Sequence, residues 1–226
     1  MSYFVTGTDT NVGKTLISCA LLHGFAARGK RVVGMKPVAA GCGDDGQFED
    51  VVRLRAAGNV AASANDINPY GFAPAIAPHL AAQHAGVNID FAQIVESFTA
   101  LARRADVVVV EGAGGFVVPL DETRDSADLV AQLALPVILV VGMRLGCLNH
   151  ALLTAEAIAA RGLTLAGWVA NTVDAGMSLR DENIAAMQSR IAAPLLGIVP
   201  YDAVPDAQKV AQRLDLELLE HAEVYG

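Results

Sequence analysis

The sequence predicts an α/β fold, a mostly parallel sheet flanked by helices, built as a single domain over residues 1–226. Two observations carry that reading. Short apolar runs rich in Val, Ile and Leu alternate with longer segments of helical composition, the pattern of strands joined by crossover helices. The runs are nearly unbroken by polar residues, as strands are when helices cover both faces of a sheet. A length of 226 residues, without internal repeat, low-complexity tract or linker, suits one domain with a substantial core.

In chain order, strands are expected at residues 3–6, 31–35, 107–111, 137–141, 163–171 and 195–199. The first rests on Tyr3-Phe4-Val5 and the third on four successive valines, Val107 to Val110, ending at Glu111. Helices are expected over residues 14–28, 90–104 and 149–161 from composition and length, with another opening at Val51. Asp90 with Gln93, and Ser178 with Asp181, have the spacing of capping boxes. Right-handed crossovers put the C-terminal ends of the strands on one edge, where such sheets bind ligands. The loops after Thr6, Met35, Glu111, Val141, Asn171 and Val199 are therefore the ones that carry chemistry.

Hydrophobic residues make up 53% and charged residues 18%, too apolar for a disordered chain. The longest apolar runs have the length of buried strands and fall far short of a membrane span. A net charge of −8 argues against a nucleic-acid surface, which needs clustered Lys and Arg. A small anion needs only a few local donors. Cys19, Cys42 and Cys147 are widely separated with no CxxC pair, and His79 and His84 lack ligand spacing. The thiols read as reduced, and no zinc site is expected. With a strand at the start in place of a basic and apolar signal segment, the expected compartment is the cytoplasm.

Directly after the first strand stands Gly7-Thr8-Asp9-Thr10-Asn11-Val12-Gly13-Lys14-Thr15, opening the first helix. Its Gly13-Lys14-Thr15 ending is that of a phosphate-binding P-loop. Backbone N–H groups and the helix N-terminus would cradle phosphates, Lys14 would neutralise their charge, and Thr15 would ligate Mg²⁺. Five residues, not four, separate Gly7 from Gly13. A second motif, Val107 to Val110 followed by Glu111-Gly112-Ala113-Gly114-Gly115, resembles a strand ending in a metal-side carboxylate, with glycines that permit close backbone approach. Asp50, after the glycine-rich residues 41–46, is either the cap of the helix opening at Val51 or a further Mg²⁺ carboxylate. Lys36 lies just past the second strand, on the ligand edge.

These motifs, with Lys36-Pro37-Val38 between them, resemble the dethiobiotin synthetase family in order and spacing. Further matches run through Pro78-His79, residues 133–146 and 163–171, and Pro194-Leu195-Leu196-Gly197, fading over residues 43–48, 175–193 and the C-terminal tail. The resemblance implies a P-loop NTPase-like domain acting as a homodimer on 7,8-diaminononanoate and CO₂, with ATP as co-substrate and Mg²⁺. One amine would capture CO₂ as a carbamate, ATP would phosphorylate it, and the second amine would close a cyclic urea. By position, Lys14 and Lys36 would flank the transferring phosphate and the carbamate. Thr10 and Ala40 would lie against the substrate, and Thr15, Asp50 and Glu111 would hold Mg²⁺. The nucleotide would sit against Asn11, Val12, Gly13, Lys14, Thr15 and Leu16, with Gly112, Ala113 and Gly114 beside them. Asn171 and Thr172 would meet the adenine, helped by Pro200, Tyr201, Asp202 and Asp206. Leu145, Gly146, Cys147, Leu148 and Asn149 would take the substrate carboxylate at a helix N-terminus, a site apt for an anion. The active site would be shared, this turn coming from the neighbouring subunit.

Three positions depart from the family pattern: Ala40 where a hydroxyl residue is common, Asn11 where some members are acidic, and Asn183 where some have a tyrosine. The departures bear on substrate contacts more than on the nucleotide. A nucleotide switch of the partition or cell-division type often carries a lysine five residues before the P-loop lysine; here that residue is Asp9. Related ligases with a glutaminase domain need more chain than 226 residues. A dinucleotide-dependent dehydrogenase is disfavoured, because no G-x-G-x-x-G follows the first strand.

Overall fold

The computed structural model describes residues 1–220, so residues 221–226 of the expected domain lie outside it. Six strands form one sheet: β1 (Ser2–Gly7), β2 (Val32–Met35), β5 (Val107–Glu111), β6 (Val137–Met143), β7 (Leu165–Thr172) and β8 (Leu195–Val199). Their spatial order is β2-β5-β1-β6-β7-β8, with every pairing parallel. Two three-residue strands, β3 (Val38–Ala40) and β4 (Tyr70–Phe72), pair separately. The helices are α1 (Lys14–Ala27), α2 (Glu49–Ala57), α3 (Ala64–Ile67), α4 (Pro78–Ala85), α5 (Phe91–Ala102), α6 (Ser126–Leu133), α7 (Cys147–Ala160), α8 (Arg180–Gln188), α9 (Ala207–Ala211) and α10 (Glu217–Glu220).

Alternation along the strands divides the core between two faces of the sheet. Val107 and Val109 point to the face covered by Ile17, Leu21 and Phe25 of α1, Leu54 of α2 and Val210 of α9. Val108 and Val110 point the other way, toward Ile94 and Leu101 of α5 and Leu129 and Leu133 of α6. Farther along that second face, Leu139 and Trp168 pack with Ala151 of α7 and Ile184 and Met187 of α8. Burial on both faces is why these strands read as continuous apolar runs.

The six expected strands all form, with shifted bounds. Residues 163 and 164 stay outside β7 because the chain is still closing α7: Gly162 turns with φ 68° and the Leu163 amide donates back to Ile158. α7 begins two residues earlier than expected, at Cys147, once Gly146 turns the chain with φ 95°. The two expected capping boxes do not close. Asp90 caps α5 through the Ala92 amide, but Gln93 Oε1 accepts instead from the Tyr70 hydroxyl. α8 starts after Leu179 in a left-handed conformation, with no side-chain cap from Ser178. A box does form at α6, between Asp125 and Asp128.

One close approach fixes the site. Val12, buried in the loop before α1, is wedged against the ends of β1 and β6: a Cβ on Gly7 would lie 2.6 Å from one Val12 methyl and a Cβ on Gly142 2.7 Å from the other. Gly142→Ala is therefore expected to destabilise the fold by about 1–3 kcal/mol, lowering the melting temperature by roughly 3–10 °C, by forcing Val12 and its loop away. A thermal melt checks it, and an unchanged midpoint would show that Val12 is not held by β6.

Candidate active site

The loop between β1 and α1 is shaped by its last glycine. Gly13 has φ 92°, and a Cβ there would stand 2.2 Å from Asn171 Nδ2. α1 then begins with no side-chain cap and no acidic residue in its first turn. Its leading N–H groups are left for an anion, with the positive end of the helix dipole behind them. Lys14 Nζ donates to the Asp9 carbonyl at 2.9 Å, and the Asp9 carboxylate is paired with Arg144 from the loop after β6.

Four polar side chains from four segments meet beside this turn. The Thr15 hydroxyl lies 2.7 Å from Asp50 Oδ1 and 2.9 Å from Glu111 Oε1. Lys36 Nζ lies 2.6 Å from Glu111 Oε1, 3.0 Å from Asp50 Oδ2 and 3.1 Å from the Gly112 carbonyl. Glu111 is fully buried and Lys36 only 4% exposed. Burial alone would pull the Lys36 ammonium down, but Glu111 and Asp50 together outweigh it and hold its pKa above the usual value. Lys14 has no such match. Burial, then repulsion from Lys36, lowers it to about 8. For Asp50 burial pushes upward, yet Lys36 and the Thr15 hydroxyl prevail and hold the carboxylate below its ordinary range.

Asp50 is thereby removed from capping duty. Phe48 occupies the cap position of α2, and Asp50 lies inside the first turn with its carboxylate turned to Thr15 and Lys36. Glu111 Oε2 is buried and has no hydrogen-bond partner. An orphan carboxylate oxygen beside a second carboxylate and a hydroxyl is an all-oxygen donor set, which fits Mg²⁺. Among the described residues no cluster of three or more His, Cys, Asp or Glu could hold a metal by itself, in keeping with a cation that shares its ligands with phosphate and water.

The cluster lies in a cleft of about 860 Å³. Its lining includes Thr10, Asn11, Gly13, Lys14, Thr15 and Leu16, then Lys36, Ala40, Asp50, Glu111, Ala113 and Gly114. Asn171, Thr172, Pro200, Tyr201 and Asp202 also line it. Asn171 donates through Nδ2 to the Val12 carbonyl at 2.8 Å, which orients its amide. Several expected residues are not on this wall. Val12 lies beneath the loop, and Gly112 contributes its carbonyl to Lys36. Asp206 does not line the cleft; it caps α9, accepting from the Gln208 and Lys209 amides. Leu145, Gly146, Cys147, Leu148 and Asn149 also lie outside the cleft; Leu145 is 97% exposed and Gly146 caps an α7 start without a side-chain acceptor. Sequence reasoning did not assign Glu49, Arg53, Gly115, Val118, Val173, Pro205 or residues 75–78 to the wall. Gly115 and Pro78 stood in recognised motifs, and Arg53 stands three residues after Asp50 on one helix.

A family model described as an AAA domain matches residues 1–209. The chain is 56% identical over 214 residues to an ATP-dependent dethiobiotin synthetase of Nitrosospira multiformis, covering 95% of this chain and 94% of that one. It is 53% identical over 218 residues to one of Aromatoleum aromaticum, covering 95% and 97%. Among solved structures it resembles the septum site-determining protein MinD of Pyrococcus horikoshii, complexed with Mg-ADP, with a TM-score of 0.61 and 17% identity over 99% of this chain and 96% of that one. At that identity the likeness is one of fold.

Burying Lys14 at a folded pKa of about 8 penalises the folded state fully below that pH, and the penalty fades as pH rises toward the ordinary lysine value. Lys14→Met, without nucleotide or metal, is expected to stabilise the protein at pH 7 by on the order of 1–3 kcal/mol. The gain should shrink at pH 9. Denaturant unfolding at the two pH values checks this, and an equal change at both, or no gain at pH 7, would refute it.

Proposed function

This chain belongs to the AAA domain family and to the family of ATP-dependent dethiobiotin synthetases, and from that premise we propose how its cleft works. The protein is an ATP-dependent ring-forming ligase of biotin synthesis. The substrates we assign are 7,8-diaminononanoate, CO₂ and ATP. One amine takes up CO₂ as a carbamate, a carbamate oxygen accepts the γ-phosphoryl group, and the second amine displaces phosphate to close the urea. Dethiobiotin, ADP and phosphate leave.

Phosphoryl transfer to a carbamate requires positioning and charge neutralisation more than a covalent nucleophile. The observation that carries the reading is the meeting of Lys14, Thr15, Lys36, Asp50 and Glu111 at the open N-terminus of α1. In our assignment the α1 amides and Lys14 hold the phosphates, and Lys36 faces the carbamate across the transferring group. Thr15, Asp50 and Glu111 would hold Mg²⁺, which when bound neutralises charge on the phosphate oxygens. Val12 and Gly112 serve by backbone support, and Thr10 lies on the substrate side. Asn171 keeps one N–H and its carbonyl oxygen for the adenine, beside Thr172, Pro200, Tyr201 and Asp202. The 1–226 chain acts as one domain in this reading. A cytoplasmic site of action is supported by three unpaired thiols, Cys19, Cys42 and Cys147. No described helix is long and apolar enough to cross a membrane.

We assign the substrate carboxylate to the Leu145–Asn149 turn of a second subunit. The acid lies a long aliphatic chain away from the amines, and the turn lies outside its own chain's cleft. An uncapped helix N-terminus supplies N–H donors for it. Exposed Leu145, Leu153 and Leu179 around α7 and α8 support a partner surface, and two-fold pairing would make two equivalent sites.

ADP release should need ATP, Mg²⁺, 7,8-diaminononanoate and bicarbonate together, and Lys36→Ala should cost on the order of 10²-fold or more in rate. Hydrolysis indifferent to diamine and bicarbonate would reject the ligase reading of this cleft. Mixing two inactive variants, Lys36→Ala and Gly146→Asp, should restore activity, because one site of each mixed dimer escapes both lesions. If mixed dimers form and stay inactive, the carboxylate turn belongs to the same chain's site.

A further inference from the structure

The cleft wall carries three cations, Lys14, Lys36 and Arg53. Lys36 is committed to two carboxylates, and Lys14 donates to the Asp9 carbonyl. Arg53 is different. It stands on α2 one turn beyond Asp50, and its guanidinium pairs at 2.5 Å with Glu49, the residue before Asp50. Both partners of this pair are exposed, at 55% and 76%, and an exposed i,i+4 pair is worth little and exchanges readily. Arg53 lines the same cleft as Lys14, Thr15 and Asp50.

Charge balance gives it a task. Lys36 is already offset by Asp50 and Glu111, which leaves Lys14 as the one unmatched lysine on the wall, whereas a triphosphate brings several negative charges. We propose that Arg53 is an exchangeable phosphate-binding arm: it rests on Glu49 in the empty protein and transfers to a phosphate oxygen when the nucleotide enters. The inference rests on the nucleotide phosphates occupying this cleft. A guanidinium suits the exchange because it forms the same two-pronged contact with a carboxylate and with a phosphate. Glu49 is then a competitor for the nucleotide, not a helix-stabilising partner alone.

The test is steady-state kinetics with direct ADP binding by calorimetry on the full-length enzyme. Arg53→Ala should raise KM for ATP and Kd for ADP about 3- to 10-fold with kcat within about twofold, and Arg53→Lys should fall between. Added salt should weaken nucleotide binding more in the wild type than in Arg53→Ala. Glu49→Gln should tighten binding about two- to threefold, and that gain should vanish in the Arg53→Ala background. The proposal is overturned if Arg53→Ala leaves KM and Kd unchanged, or if the Glu49→Gln gain persists without Arg53, which would mark a general field effect. Lys14→Ala serves as the control: if it also leaves ADP binding intact, the cleft assignment itself falls, whereas failure at Arg53 alone removes only this arm.

Discussion

Lys36 and Glu111 lie 2.6 Å apart and shut away from water, and their pairing ties the end of β2 to the end of β5. Strand register brings them together. Met35 is opposite Val110 in the parallel pair, so the next residues out are Lys36 and Glu111. β5 pairs on its other side with β1, where Val5 is opposite Glu111 and the chain continues into the phosphate loop. A buried charge left without its partner costs several kcal/mol, about 3–5 in measured cases, so neither residue can be altered as a local event. Asp50 and Thr15 complete the arrangement by bringing α2 and α1 to the same point. The site is thus held by its own electrostatics as much as by the core beneath it.

That solution sacrifices some stability. Lys14 is buried near Lys36 and held at a pKa of about 8, without a carboxylate hydrogen-bonded to it. Glu111 keeps one carboxylate oxygen without a partner. Neither charge is fully matched by the protein around it, and both groups face the same cleft. Packing holds them at station: Val12 locks the loop against the ends of β1 and β6, and Asn171 fastens its carbonyl from β7. Rigid support with unsatisfied groups is how preorganised sites are built.

Legibility followed the physics that produced each element. Strands buried on both faces showed as apolar runs, and the phosphate loop showed because glycine, lysine and threonine are each required by backbone geometry or charge. Caps were poorly legible. Gln93 had the right spacing but found a stronger partner in the Tyr70 hydroxyl, while the real box at α6 uses Asp128 where Glu or Gln is usual. Asp50 was ambiguous because a carboxylate at a helix start serves a cap or a cation equally well; Phe48 at the cap position, with Asp50 turned to Lys36 at 3.0 Å, removes the cap reading. β3 and β4, three residues each, are too short for a period to register. Residues 75–77 reach the cleft only through the tertiary fold, with no local chemistry to announce them.

The likeness to a septum site-determining protein shows what the fold does not decide. A parallel sheet with a glycine loop before its first helix settles where phosphates lie; what receives the phosphoryl group depends on the surrounding loops. Here the residue five before Lys14 is Asp9, whose carboxylate is tied to Arg144 and whose carbonyl takes the Lys14 ammonium. The position where the partition-type switches carry a lysine is therefore used to brace the loop within its own chain. The second cation comes instead from Lys36, set just beyond the end of β2 in a cleft that Ala40 also lines. A lysine set at a strand end by register, and not on a mobile loop, can hold an acceptor in line with the phosphate without first being ordered. In the proposed reaction, the sheet edge that would hold the nucleotide is also where its γ-phosphoryl group passes to a carbamate oxygen and ADP is left behind.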